Sequence, residues 1–250
     1  MPNLSDLHTE GNVKLLLYGD SGSGKTTFLA GMPGPVRIND FDGKVISAAE
    51  YLREINPAQL KHVTYENYAA HTGQRMAADQ FNHEMGEARK ATPFPWATLG
   101  LDSLTTFSDA SMQYLIKANP GVIKRISTRG VQLPVLQDYG MARIWFKAII
   151  GELLALPCNV VITAHIQIEK DESTGAILRT PMMTGKLAKE LPIYFGEVWR
   201  AYRDDKGEHW AQTQTDSRYT CRSQIRGLPN PVRLDWNVIS QFMNKHKGGI

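Results

Sequence analysis

The sequence predicts an α/β fold: a mainly parallel sheet flanked by helices, with an antiparallel β extension at its C-terminal end. Val13 to Tyr18 and Asn159 to Ala164 are apolar at nearly consecutive positions, as strands buried on both faces are. Such runs alternate with helical stretches, which is the pattern of a parallel sheet. Glu197 to Arg203, Glu208 to Thr213 and Tyr219 to Arg222 then read as short strands joined by the turn residues Asp204-Asp205-Lys206-Gly207 and Asp216-Ser217.

Composition bounds the rest. A chain of 250 residues, 42% hydrophobic, buries a full core without disulfides or metal staples. No apolar run approaches the roughly 18 residues of a membrane span, and the polar start, Met1 to Asn12, has no signal-peptide pattern. Cys158 and Cys221 lack metal-type spacing, so a reducing cytoplasmic compartment is expected. A formal net charge of +3 is too small to define a polyanionic partner; its distribution says more. One core from 13 to 235 is expected, between short tails at 1 to 12 and 236 to 250.

The first strand runs into Gly19-Asp20-Ser21-Gly22-Ser23-Gly24-Lys25-Thr26, followed by helix-forming Thr27 to Ala30. This is the phosphate-loop pattern G-x-x-x-x-G-K-[ST] in its required strand-to-helix context. Its glycines let successive amides turn inward around an anion, Lys25 reaches the β and γ phosphates, and the Thr26 hydroxyl is placed for Mg²⁺. Gly19, Ser21, Gly22, Ser23, Gly24, Lys25, Thr26 and Thr27 are therefore the candidate nucleotide-binding residues.

Gly31, Pro33 and Pro35 end that helix, and Val36 to Asn39 forms a second strand entering Asp40-Phe41-Asp42-Gly43. Carboxylates there sit where α/β proteins place ligands, although Asp and Gly also make plain turns. His62 to Tyr68 reads as a weaker strand, and Thr72 to Lys90 as a polar helix with Met76, Phe81 and Met85 inward. Trp96 to Asp102 is a strand ending in an acid, suited to holding a metal-bound water beside Thr26.

A helix from Leu104 to about Ala118 precedes an irregular stretch to Pro134. Lys117 lies near the end of that helix, and Lys124, Arg125 and Arg129 lie in a segment without one acid, which suits contact with a phosphate backbone. From Gln137 to Leu156 a helix is predicted with Met141, Ile144, Trp145, Ala148, Ile149, Leu153 and Leu156 as its apolar face. His165 follows the next core strand. Ile166 to Thr184, carrying Lys170 and Arg179, reads as a second long loop, then Gly185 to Glu190 as a helix start and the stretch after Trp236 as a short helix.

The ordered set Gly19 to Thr26, Asp40-Phe41-Asp42, Leu101-Asp102-Ser103, Asp138-Tyr139-Gly140-Met141 and Val160 to His165 resembles the ATPase core of RecA-like recombinases. It is similar in particular to compact phage RecA-core ATPases of the single-strand annealing type, over roughly Val13 to Asp204. The resemblance implies a RecA-like P-loop NTPase using ATP and Mg²⁺, with Lys25, Asp42, Asp102 and His165 as catalytic residues and Thr26 with Asp102 at the metal. Asp42 would activate water, and His165 would report the γ phosphate to the loop that follows.

The two basic segments match mobile DNA-contacting loops, which makes Lys117, Lys124, Arg125, Arg129, Lys170 and Arg179 the DNA-binding candidates. Lys186, Arg222 and Arg226 are candidates for a cation acting across a subunit boundary. Expected partners are single-stranded DNA, further copies of the chain and a single-strand DNA-binding protein, with no membrane, in the cytoplasm of a bacterial host. Asp42 is one methylene shorter than the glutamate of RecA, a departure that bears on turnover. Two other readings of the residues stay open: a small-substrate phosphotransferase with Arg125 and Arg129 as a lid, and an ATP-switched scaffold or helicase-loading partner.

Overall fold

A computed structural model describes residues 11–70, 74–118, 127–128, 131–170, 175, 177–183 and 187–244. In chain order the elements are β1 Lys14–Gly19, α1 Lys25–Ala30, β2 Val36–Asp40, α2 Val45–Ile55, α3 Pro57–Leu60, β3 Val63–Asn67, α4 Gln74–Lys90, β4 Thr98–Asp102 and α5 Leu104–Ala118. There follow β5 Ser127–Thr128, β6 Val131–Gln132, α6 Leu136–Leu154, β7 Asn159–Ala164, β8 Ile166–Lys170, β9 Ile177–Pro181, α7 Leu187–Glu190, β10 Glu197–Arg203, β11 His209–Gln212, β12 Val232–Arg233 and α8 Trp236–Asn244.

Among the described residues the central sheet has eight strands, in the order β12-β11-β10-β1-β7-β4-β2-β3. From β10 to β3 every neighbouring pair is parallel, and the antiparallel extension consists of β11 and β12 beyond β10. β7 therefore lies between the strand that leads into the glycine loop and the strand that ends in Asp102. That order brings the carboxyl ends of β1, β7, β4 and β2 to one edge, where α/β sheets place ligands.

Each face of the sheet packs its own apolar layer. Leu16, Tyr18, Leu99, Leu101, Val160 and Ile162 meet α4, α5 and α6 on one side. Leu15, Leu17, Val36, Ile38 and Val161 meet α1, α2 and α8 on the other. Burial on both faces is why these strands are apolar at nearly every position instead of at alternate ones. Gly100 belongs to this packing, because a β-carbon there would stand 2.3 Å from Leu29 Cδ2 in α1. Gly100→Ala is expected to destabilise the fold by about 1–3 kcal/mol, read as a lower denaturant midpoint at unchanged slope.

Several expectations need correction. The segment after His165 is not a loop in its described part but an antiparallel ribbon, β8 with β9, pairing Ile166 with Pro181 through Lys170 with Ile177. Tyr219 to Arg222 contributes only isolated bridges, Arg179 to Tyr219 and Val198 to Arg222, and the outermost strand is β12. In α6 the buried residues are Asp138, Ala142, Phe146, Ile150 and Leu153, while Ile144 is 74% exposed. That helix is apolar almost all round, so periodicity does not select one stripe; the contact of Phe146 with Phe107 in α5, ring centroids 5.8 Å apart, does.

α2 and α3 lie where no helix is predicted. α2 starts under Asp40, whose carboxylate accepts the amides of Gly43 at 2.8 Å, Lys44 at 3.3 Å and Val45 at 3.0 Å. A carboxylate that takes up otherwise unpaired amides at a helix start stabilises that start. α3 begins with Pro57 after Asn56, whose side chain accepts the Gln59 amide.

Candidate nucleotide site

The glycine loop joins β1 to α1 and is pressed on one side by β10 and β11. A β-carbon at Gly19 would stand 2.3 Å from the Ala201 carbonyl oxygen of β10, and Gly22 and Gly24 have φ of 76° and 88°. Glycine is thus required at Gly19 for close approach and at Gly22 and Gly24 for backbone conformation. The Lys25 ammonium is folded onto the loop, donating to Gly19 O at 2.9 Å, Asp20 O at 2.8 Å and Ser23 Oγ at 3.3 Å. Burial pushes its pKa down, and the nearby carboxylates of Asp102, Asp42 and Asp20 only partly offset this. A buried ammonium with neutral acceptors suits a group that exchanges them for phosphate oxygens. Ser21 is exposed and Ser23 buried, while Thr26 and Thr27 are half-buried in the first turn of α1.

The structure separates the two acids of the Asp40-Phe41-Asp42 turn. Asp40 is spent on the start of α2, as above. Phe41 turns into the core, stacked on Tyr68 with ring centroids 4.5 Å apart and edge-on to Phe107 at 5.0 Å. The amides of Phe41 and Asp42 both reach the Asp102 carbonyl, at 2.6 and 3.3 Å. Anchored there, Asp42 faces the sheet edge. Its Oδ1 accepts Ser103 Oγ at 2.8 Å and Thr106 Oγ1 at 2.5 Å, and its Oδ2 lies 3.0 Å from His165 Nε2. Burial would raise its pKa, but these hydrogen bonds outweigh burial and hold the carboxyl well below the usual range.

Asp102 is 2% exposed. Thr163 of the intervening β7 donates to its Oδ1, and Thr26 donates to its Oδ2 at 2.7 Å. Burial pushes the Asp102 carboxyl upward, the threonine hydroxyls pull it down, and the charges of Asp42 and Asp40 push it up again. A cation at this point would relieve both the burial and the repulsion between carboxylates. The donor set fits Mg²⁺: a threonine hydroxyl beside a carboxylate, oxygen ligands only. Thr26 and Asp102 would hold the ion, and Mg²⁺ when bound neutralises charge on the phosphates.

His165 follows β7 and is tied in three directions. Its ring meets Asp42, its amide donates to Thr105 Oγ1 at 3.0 Å, and its carbonyl accepts the Met182 amide at 2.7 Å. Thr105 Oγ1 in turn donates to Met182 O at 2.8 Å, so the ring at the site and the end of the β8–β9 ribbon share one network.

The structure thus gathers Lys25, Thr26, Asp42, Asp102 and His165 at one edge. Ser103, Thr105, Thr106 and Thr163 are participants that sequence reasoning missed; Ser103, beside Asp102, carried the only local signal. Among the cationic candidates, Lys117 is exposed at the end of α5 and Lys170 at the end of β8, while Arg179 of β9 stacks over Tyr219 at 5.5 Å. Arg222 donates from Nη2 to Pro192 O at 2.7 Å, Ile193 O at 2.9 Å and Phe195 O, which commits it to its own chain. Arg226 is exposed at the turn before Leu228. Lys124, Arg125, Arg129 and Lys186 lie outside the described residues.

A lysine-bearing glycine loop at the start of α1, facing an acid across an intervening strand, defines a P-loop NTPase. The chain belongs to the AAA domain family, whose model matches residues 11–225. Among solved structures, the RadB recombinase is 14% identical with a TM-score of 0.49, over 89% of this chain and 86% of that one. A prototypical ATPase from the type III secretion system of pathogenic bacteria is 13% identical with a TM-score of 0.47, over 77% of this chain and 51% of that one. No curated protein matches the sequence. Among the described residues no helix is long and apolar enough to cross a membrane.

Proposed function

We propose that the chain is an ATP-dependent single-stranded DNA-binding protein of phage homologous recombination or single-strand annealing, assembling with its own copies around ATP. The observation that carries this reading is the hydrogen-bonded path from Asp42 through His165 to Met182 beside β9. A γ phosphate held by Lys25 competes for the His165 ring, and a displaced ring shifts the strand ends bonded to its main chain. A nucleotide-dependent change at a sheet edge is then passed to a ribbon bearing Lys170 and Arg179, which suit a phosphate backbone.

In this reading the loop amides and Lys25 bind the triphosphate and Asp42 orients and deprotonates the attacking water. A cation from a neighbouring copy completes the site, with Lys186, Arg222 and Arg226 the candidates, of which Arg222 donates to carbonyls of its own chain. The ATPase core spans 13 to 235 with α8 packed against it, the protein works in the cytoplasm of a bacterial host, and a single-strand DNA-binding protein is a further partner.

The test is phosphate release with and without single-stranded DNA, together with molecular size in a non-hydrolysable ATP analogue. Stimulation and assembly are expected; the absence of both would refute the reading, and a phosphorylated small-molecule product would replace it with phosphotransfer. Affinity for single strands is expected to fall steeply with salt, and Lys124→Ala with Arg125→Ala to flatten that slope by about 1.4 units of log–log gradient, about 0.7 for each charge removed. An unchanged slope removes that segment from the DNA site.

A further inference from the structure

We propose that His209 contacts the bound nucleotide, its Nδ1–H donating to a phosphate oxygen, an inference that rests on the P-loop reading above. His209 opens β11, far from the glycine loop in sequence, and is paired with Arg203 of β10. The hairpin that presents it is closed tightly. Asp204 N donates to Glu208 O at 3.0 Å, and the Asp204 carboxylate accepts Lys206 N at 3.0 Å, Glu208 N at 2.8 Å and Trp210 Nε1 at 2.9 Å. On the other side the His209 carbonyl accepts the Leu234 amide at 3.0 Å.

Strand alternation puts His209 on the face shared with Ala211, which packs in the layer containing Phe28 and Leu29 of α1. The imidazole there lies directly against the phosphate loop. A β-carbon at Gly24 would stand 2.9 Å from Nδ1 and 3.0 Å from Cγ. Gly24 carries one of the amides that open α1, so a ring covering Gly24 flanks an anion held on those amides.

His209 Nδ1 is buried and has no hydrogen-bond partner among the described residues. Buried polar atoms are normally paired, and one left unpaired weakens the fold unless a ligand supplies the partner. A neutral imidazole with its proton on Nδ1 is sufficient, so no change of charge is needed.

The test compares wild type, His209→Phe, which keeps a flat ring against Gly24, and His209→Asn, whose amide nitrogen can occupy the place of Nδ1. Dissociation constants are measured for MgATP, MgADP and Mg-2′-deoxyATP, with melting temperatures of the nucleotide-free proteins. The phenylalanine variant is expected to weaken all the nucleotides by about tenfold or more, the expected loss for a hydrogen bond to a charged group, with asparagine within about threefold of wild type. The nucleotide-free phenylalanine variant is expected to melt no lower than wild type, since an unpaired buried atom is gone.

Wild-type affinity in the phenylalanine variant overturns the proposal, as does equal loss in the asparagine variant. A loss confined to ribonucleotides assigns the contact to the sugar and overturns the phosphate contact. Lys25→Ala is the control for the underlying reading. If wild type fails to bind MgATP, or Lys25→Ala binds it as wild type does, the P-loop reading has failed and not the role of His209.

Discussion

Lys25→Ala is expected to lower MgATP affinity by about a hundredfold or more and to abolish turnover, because charge-assisted contacts to phosphate are the strong ones in such a site. Lys25 Nζ is the buried ammonium of the loop, held by the Gly19 and Asp20 carbonyls and Ser23 Oγ. Burial disfavours its charge and the nearby carboxylates favour it; a phosphate group adds the counter-charge that burial withholds. Lys25→Arg is expected to recover little, since a planar guanidinium is larger than a point-like ammonium beneath a tight loop. Direct titration with MgATP decides the matter, and a melting curve guards against misfolding. Affinity within about threefold of wild type for the alanine variant would remove Lys25 from the nucleotide site.

Asp42→Asn is expected to leave MgATP affinity within about threefold while lowering turnover about a hundredfold to ten-thousandfold, the range of general acid–base assistance. The substitution keeps an acceptor for Ser103 Oγ and Thr106 Oγ1 and removes the basic oxygen beside His165. Those same bonds hold the carboxyl low, and a low pKa makes a weak base, so wild-type turnover is expected to be slow until His165 is drawn away. Single-turnover phosphate release separates chemistry from binding. A variant with full turnover would refute the role of Asp42.

The depressed Asp42 pKa also has a consequence for acid stability. A carboxyl whose folded pKa lies below its unfolded value adds stability that is fully present above the unfolded pKa, about 3.9, and is lost as pH falls through the folded one. Below about pH 4, therefore, wild type loses stability that the asparagine variant never had, and the two curves converge. Denaturant midpoints at neutral pH and near pH 3 check this; parallel curves would contradict the sign of the shift.

Much of the site was legible where its chemistry is contiguous. The run from Gly19 to Thr26 carries its own strand, turn and helix start, so local conformational rules suffice to read it. Asp102 was legible because a strand ending in an acid is itself a short local pattern. The two acids of the Asp40-Phe41-Asp42 turn were not separable in that way. Both are aspartates of one short turn; what separates them is Phe41 docking on Tyr68 and Phe107, which turns Asp40 toward the amides of α2 and Asp42 toward His165.

In sequence the ribbon after His165 reads as a loop, because it mixes opposite charges and carries Gly175 and Pro181; cross-strand pairing outweighs those signals. By itself the sequence determined an α/β chain with a phosphate loop, two acids and a histidine at strand ends, since each rests on neighbours within a few residues. Only the tertiary structure decided that β7 stands between β1 and β4, that Thr163 and Thr26 share Asp102, and that Arg222 is bound to the carbonyls of Pro192, Ile193 and Phe195. It alone set His209 against Gly24. Those are contacts between residues distant in the chain, and their energies exist only once the sheet order has brought the strand ends together.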